Sequence, residues 1–408
     1  MTTRTLTRDQ IDAFGRELDA IRAGVLADLG QADVDHIRRM IRIVHYSDAG
    51  GRALLHVGLG PITFVLGVSA LAAAKILENM EVGHNVMHGQ YDWTQDPALD
   101  SRRYEWDIVC TGDDWRHSHN HEHHTFTNIL GRDRDVGYGI LRMHDTQPWS
   151  PAHLAQPAYA ALLAVLFQWG VGLQDVRLDE TVAGTQSFAT LRRRARPFLR
   201  KAARQLAKDY LVFPALALAN APRVVAGNLL ANLIRNVWTF AVIFCGHFPD
   251  GVRLYTEDET RDERRGDWYL RQLHGSANIE GGRLLHVATG HLSHQIEHHL
   301  FPDLPAARYP TIAPAVRAVC ARYGQPYNTA SFPRQLFTVA RSILRHAVPT
   351  RAAARSATAA QRDQARPAPP RPVPAAAAAA AENTTSPIAF GAITPRSAAS
   401  AEPTVDGR

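Results

Sequence analysis

Cysteine is scarce in this chain: three residues in 408, Cys110, Cys245 and Cys320, widely separated and in no CxxC pair. That excludes a disulfide framework and makes a reducing compartment the expectation. The N-terminus, MTTRTLTRDQIDAF, lacks the apolar core of a signal peptide. It reads instead as a capped amphipathic helix, with Thr7 and Gln10 spaced as a capping box. No internal repeat is visible. Acids are missing from LRRRARPFLRKAARQLAK, residues 191–208, where eight positions are Lys or Arg. A nucleic-acid patch would carry such a run, but beside apolar sequence it reads as a positive-inside signal, and no nucleic-acid partner is expected. From about Pro349 onward Pro, Ala, Arg, Ser and Thr dominate, with seven alanines at 375–381. Such a composition buries too little apolar surface to fold, so residues 349–408 are expected to form a disordered tail without a catalytic role.

The apolar residues are concentrated, although the mean hydropathy is slightly negative. Residues 1–50 read as a soluble helical segment. Residues 53–74, ALLHVGLGPITFVLGVSALAAA, match the ~20 residues of a membrane-crossing helix. A buried core helix is the alternative. A second stretch, 155–173, is expected to be interfacial or re-entrant if the histidine string described next is cytoplasmic. A third, 210–248, suits a hairpin of two short helices turning near Ala221-Pro222-Arg223. Its Asn and Arg residues would be costly in lipid unless they face protein or the interface.

Histidine is the outlier, with 20 residues. Residues 117–124 read HSHNHEHH; His84 and His88 precede them, and His247, His291, His294, His298 and His299 follow. On a helix, residues i and i+4 share a face, which joins His84 to His88, His119 to His123, and His294 to His298. An adjacent histidine points roughly 100° away, so His124 and His299 are free to serve a second metal. Three such patterns exceed one tetrahedral site. Zinc proteases are not matched, because His121-Glu122 would need histidine at position 125, which is Thr125. His119-Asn120-His121 spells a nuclease-like HNH, but that motif leaves the other clusters unexplained. Imidazole-rich sites suit iron, copper or zinc, and the histidine count at membrane-helix ends favours a di-iron, oxygen-activating centre. His117 and His121 lie on the face of His124 and are left as neighbours or surface. Ligating histidines usually donate their other N–H to a carboxylate or carbonyl, which nominates Glu81, Glu122 and Glu297, with Asp107, Asp113 and Asp114 behind them.

HNVMH, HNHEHH and QIEHHLFPDLP together resemble the three histidine boxes of integral-membrane fatty acid desaturases. KILENMEVGHNVMHGQYDW and GRDRDVGYG resemble the actinobacterial NADPH-dependent acyl-CoA desaturases within that family, over roughly residues 30–345. The resemblance implies an all-α integral membrane protein with about four transmembrane helices and a cytosolic helical cap. It places that domain at 51–345, multi-pass in the cell membrane with its active site facing the cytoplasm. It implies two iron ions held by His84, His88, His119, His123, His124, His298 and His299, with His247 at a position where relatives supply another ligand. The box position before the HH pair is Gln295, with His294 beside it, and either completes the set. His291 is an outer partner.

The implied reaction is the oxygen-dependent introduction of a cis double bond into a long-chain acyl-CoA or acyl-lipid. The delta-9 position of stearoyl-CoA is the specific expectation. No HPGG haem motif is present, so electrons are expected ultimately from NADPH through a separate ferredoxin- or flavin-type reductase. Trp93, Trp106, Trp115 and Trp268 are expected to line the tunnel or the membrane interface. Arg102, Arg103, Arg116 and Arg132 are expected to meet a CoA phosphate or lipid headgroups. Hydroxylation of an acyl or alkane substrate is the close alternative, since the same ligands serve it. A non-enzymatic membrane metal-binding or transport protein is the alternative of another class, disfavoured by the lack of an acidic relay in the apolar runs.

Overall fold

A computed structural model describes residues 3–349. From residue 350 on, the expected disordered tail lies outside the described residues. The described chain is helical apart from two short parallel strands, β1 (Asn278–Glu280) and β2 (Thr329–Ser331), with Asn278 opposite Thr329.

The first helix, α1 (Arg8–Ala27), starts at the expected cap. Gln10 N–H donates to Thr7 Oγ1 at 3.4 Å, and Thr7 N–H donates to Gln10 Oε1 at 3.0 Å. Its buried stripe, Phe14 and Leu18, packs against Tyr269, Leu300 and Tyr309. The next helix, α2 (Gln31–Val57), has 27 residues and passes the 50/51 boundary without a break. The expected soluble segment 1–50 therefore does not end where an element ends. Near its start Asp33 accepts from Arg308 Nε at 2.6 Å, while its far half packs on α3 (Pro61–Leu77).

The run 53–74 is thus not one span. Gly58 and Gly60 have φ of 71° and 92°, and Pro61 occupies the first turn of α3. Gly-Leu-Gly-Pro is apolar enough to extend a hydropathy run but conformationally a turn. The two helices meet backbone to backbone. A Cβ on Gly51 would lie 2.8 Å from Leu71 N, and one on Gly67 would lie 3.1 Å from Gly51 O. Small residues at such crossings let apolar helices approach closely. Beyond α3 a π-helical turn, Glu78–Gly83, leads into α4 (His84–Met87), so Pro61–Met87 forms one body of 27 residues.

The histidine string follows α5 (Gly112–Trp115), whose N-cap is Thr111. The stretch 155–173 becomes α6 (Gln156–Val165) and α7 (Phe167–Gln174), bent by 95°. That bend is the geometry of a re-entrant element or a broken span. The basic run forms α8 (Phe188–Ala207), which continues through a π-helical turn, Lys208–Val212, and a further short turn to Leu216. After a 3-10 turn at Leu218–Asn220 comes α9 (Ala221–His247), 27 residues long. The expected hairpin of two short helices is therefore unequal, because Pro222 sits in the first turn of α9 and starts the helix rather than breaking it.

The costly polar residues of α9 face protein. Asn228, Asn232, Arg235 and Asn236 are buried, whereas Leu229, Leu230, Ile234 and Val237 are exposed. Asp209, fully buried, accepts from Lys75 Nζ at 3.0 Å and Asn232 Nδ2 at 3.2 Å. This polar-in, apolar-out order suits lipid as the solvent. Among the described residues, Pro61–Met87 and Leu218–His247 are long and apolar enough to cross a membrane; the bent α6–α7 pair would be a third if taken as one span. At the His84 and His247 ends of these bodies, α10 (Arg265–His274), α11 (Gln295–Leu300) and α12 (Tyr309–Arg322) form a core with α1 around Phe14, Tyr269, Phe301 and Val316. The last helix, α13 (Phe332–Ala347), packs Val339 and Ile343 against Leu163 and Phe244.

Candidate metal centre

Histidines from four segments converge. His84 and His88, around α4, have ring centroids 4.6 Å apart. Residues Arg116–His123 are π-helical rather than α-helical, and His124 N–H donates to His119 O, five residues back. That wider turn changes the expected directions. His124 does not leave its neighbours' face: its ring lies 4.9 Å from that of His119, while His119 and His123 stack at 5.1 Å. His298 and His299 come from α11 with rings at 85°, and His247 ends α9.

The ring nitrogens fall into two adjacent constellations. One nitrogen from each of His84, His88, His119 and His298 lies within 4.8 Å of the others. His123, His247 and His299 do the same, and His124 groups with His298 and His299 between the two sets. Nε2 of His84, His88, His119, His123, His298 and His299, both nitrogens of His124, and Nδ1 of His247 are buried without a hydrogen-bond partner. Each unsatisfied buried polar group costs about 1–3 kcal/mol. So many converging lone pairs fit metal ions as their missing partners, and the count fits two of them. Burial holds the His88, His119, His124, His298 and His299 imidazoles well below their usual range, so they are neutral and their lone pairs are free. Burial also acts on His123, but the Asp133 and Asp135 carboxylates outweigh it and raise that ring to about 9.

The outer hydrogen bonds differ from expectation. His123 Nδ1–H donates to Asp133 Oδ1 at 3.0 Å, and Asp133 is itself fixed by the Asn128 and Asp135 N–H groups. His299 Nδ1–H donates to Gln272 Oε1 at 2.9 Å, and His84 Nδ1–H to Asn85 Oδ1 at 3.1 Å. Tyr309 Oη lies 3.4 Å from His298 Nδ1. Of these partners, Asp133 lies in the GRDRDVGYG string, ten residues after His123, and carried a sequence signal. Gln272, Asn85 and Tyr309 carried none, because nothing in a linear reading pairs them with a histidine.

The nominated carboxylates work elsewhere. Glu81 does not hold His84; it accepts from His36 Nε2 at 2.7 Å and His291 Nδ1 at 2.9 Å, which ties α2 to the third box. His36, outside the histidine clusters of the sequence, thus has a specific partner. Glu122 pairs with Arg177 and lies 3.5 Å from His117. Glu297 is fully buried but accepts from Asn278 and Tyr327, not from a histidine. Asp107 pairs with Lys208, Asp113 with Arg116, and Asp114 with the Thr111 hydroxyl. His294 does not continue the face of His298. It precedes α11 with non-helical dihedrals, and its ring packs on His286 at 4.6 Å. Gln295 is the residue beside the centre, its side-chain amide 3.0 Å from His247 Nε2. His117 is exposed and stacks on His121.

A cleft opens beside the centre, with His84, His119 and His247 in its wall and Trp106, Ile108, Phe167 and Val171 among its apolar lining. Trp115 also lines it and stacks on His119 at 4.5 Å. Trp93 and Trp268 do not line it. Arg116 is engaged by the Ser101 and Tyr104 carbonyls and Arg132 by Glu257, so neither is free for a phosphate.

Eight inward histidines at the ends of apolar helices, beside a cleft with many apolar side chains, make a candidate metal centre in a membrane-type helical protein. The fatty acid desaturase family model matches residues 59–331, and the chain belongs to that family. It is 43% identical over 348 residues to the NADPH-dependent stearoyl-CoA 9-desaturase of Mycobacterium tuberculosis, covering 84% of this chain and 82% of that one. It is 27% identical over 289 residues to the sn-1 linoleoyl-lipid 6-desaturase of Synechocystis, covering 66% and 77%. Similarity to human fatty acid desaturase 3 is more local: 30% identity over 122 residues, 30% of this chain. The chain is accordingly an oxygen-dependent oxidoreductase of the desaturase type.

Proposed function

We propose that this enzyme places a cis double bond in a long-chain acyl-CoA, with the delta-9 position of a stearoyl chain as the expected product, at a centre of two irons. One iron is held by His84, His88, His119 and His298, the other by His123, His247 and His299. His124 lies between them and Gln295 flanks His247. The observation that carries this is the pair of constellations of orphaned imidazole nitrogens beside an apolar cleft. The names and identities of the relatives support the substrate and the NADPH-linked donor.

When bound, the irons supply dioxygen activation and the oxidising power to take hydrogens from unactivated methylenes. The two hydrogens lost by the acyl chain, together with dioxygen, two external electrons and two protons, leave as two waters. The protein's own contribution is positional. The neutral imidazoles of His88, His119, His124, His298 and His299 offer their lone pairs, Asp133, Gln272 and Asn85 fix ring orientation from behind, and the cleft's apolar lining holds the chain and excludes water. A separate reductase delivers the electrons at the cytoplasmic face of a multi-pass membrane protein. The bundle adds the bent α6–α7 pair as a third span to the two clear ones. The unit that carries the reaction takes in α1 and α2, since both pack against it.

Expression in a host lacking the activity, followed by mass-spectrometric location of new double bonds, tests the reaction. A delta-9 alkene and about two irons per chain are expected. A hydroxylated product without alkene, or stoichiometric zinc from iron-replete cells, overturns it.

A further inference from the structure

The cleft beside the centre is not apolar throughout. Its far end carries Arg235 and Asn236 of α9, with Gln168 of α7. Arg235 lies within a membrane helix and is 1% exposed. A charge at that depth is expensive and, where found, marks a functional position. Asn236 Oδ1 holds Arg235 Nε at 3.2 Å and Nη2 at 3.1 Å, and Asn236 is itself fixed by donating to Val165 O at 2.7 Å. The third nitrogen, Nη1, is buried and has no acceptor. The guanidinium is therefore oriented by the protein while one of its donors is left for something else.

We propose that Arg235 receives the carbonyl oxygen of the substrate's acyl linkage and so sets which carbons of the chain reach the histidines. This rests on the desaturase function proposed above. A long acyl substrate is apolar except at its head, where the linkage carbonyl is the acceptor that enters the cleft with the chain. Arg235 precedes His247 by twelve residues on one unbroken helix, about 18 Å along the axis. That interval is shorter than an extended stearoyl chain, so a carbon within the chain, not its end, lies at the centre when the carbonyl is at the anchor. The surroundings match a carrier beyond the carbonyl. Trp106 lines the cleft and also a neighbouring groove that contains Arg200 and Arg204, while its Lys201 and Lys208 pair with Glu105 and Asp107. Such a groove suits the phosphates of a nucleotide carrier. Register is then fixed by a charge-assisted hydrogen bond at the head of the chain rather than by the blind end of the cleft.

The rival is structural. Glu78 Oε2 is also buried without a partner, and a solvent-bridged pair with Arg235 would need no substrate. Binding to purified, iron-loaded enzyme separates the two. Stearoyl-CoA is compared with its S-octadecyl thioether, which lacks only the carbonyl. Wild type should prefer the thioester by about tenfold or more, the factor expected for a charge-assisted hydrogen bond. Arg235→Met should erase the preference while leaving thioether affinity within about twofold. Arg235→Lys should keep part of it and spread the double bond over neighbouring positions. Equal affinity of wild type for the two ligands overturns the proposal, as does an Arg235→Met variant that weakens both alike. If Arg235→Met fails to fold, the wild-type ratio and the Arg235→Lys product positions decide. Failure of wild type to form any alkene would instead sink the reaction itself, not the anchor.

Discussion

The two histidine constellations are built from the same imidazoles but are backed differently. In the His123, His247, His299 set, each ring has a close polar neighbour: a carboxylate for His123, an amide oxygen for His299 and the Gln295 amide for His247. In the His84, His88, His119, His298 set the outer contacts are neutral or long: Asn85 at 3.1 Å, Tyr309 at 3.4 Å, and Asp135 at 3.7 Å from His119. A charged, short outer bond makes an imidazole more basic and fixes its orientation. The first set is therefore the stiffer and more strongly donating half. The second is the more adjustable half; two of its rings, His84 and His119, line the cleft, as His247 of the first set does.

The largest expected effect comes from removing a shared ligand. His298→Ala belongs to the four-ring set and to the His124 group, so turnover should fall at least about 100-fold with loss of bound iron. Near-normal activity would remove His298 from the ligands. Asp133→Asn keeps the shape but loses the charge behind His123; activity or iron affinity should drop about 10–100-fold. Asn85→Ala, the counterpart in the other half, should cost less than about tenfold. Equal losses in these two variants would break the proposed difference between the halves. Chelator titration followed by metal analysis should remove iron in two stages, the Asp133-backed half last; a single concerted loss would show the halves to be equivalent. The smallest effect is expected at His294→Ala, within about twofold of wild type, since that ring packs on His286 away from the centre.

Local spacing made much of the centre readable in advance. His84/His88 and His298/His299 lie on short regular turns, where helical directions apply, and the strings around them are specific. Length and composition likewise located the apolar α6–α7 segment, but its 95° bend fits a broken span as well as a re-entrant element. What was not readable depended on departures from α-helix or on distant partners. The π-helical turn at Arg116–His123 swings His124 into the chamber by changing the number of residues per turn, which hydropathy and i, i+4 counting do not register. Gly58-Leu59-Gly60-Pro61 passed as membrane sequence because Gly and Pro are tolerated there, although backbone dihedrals make it a turn. Glu81 stood three residues before His84 and invited a local pairing. Its partners are His36 and His291, 45 residues before it and 210 after it.

That last bond gives α2 a role its sequence does not advertise. One continuous rod of 27 residues, about 40 Å, runs from Gln31 to the turn at Gly58 and carries the His36–Glu81 hydrogen bond in its second turn. It is longer than the ~30 Å of a bilayer's hydrocarbon core. Within two turns of its Gly58 end it touches α3 through Gly51 and Gly67 with no side chain to cushion the contact. The histidine chamber is thus registered against the membrane hairpin by a rigid strut, not hung from it by a loop. A tilt of the hairpin and a displacement near His84 are two ends of the same motion.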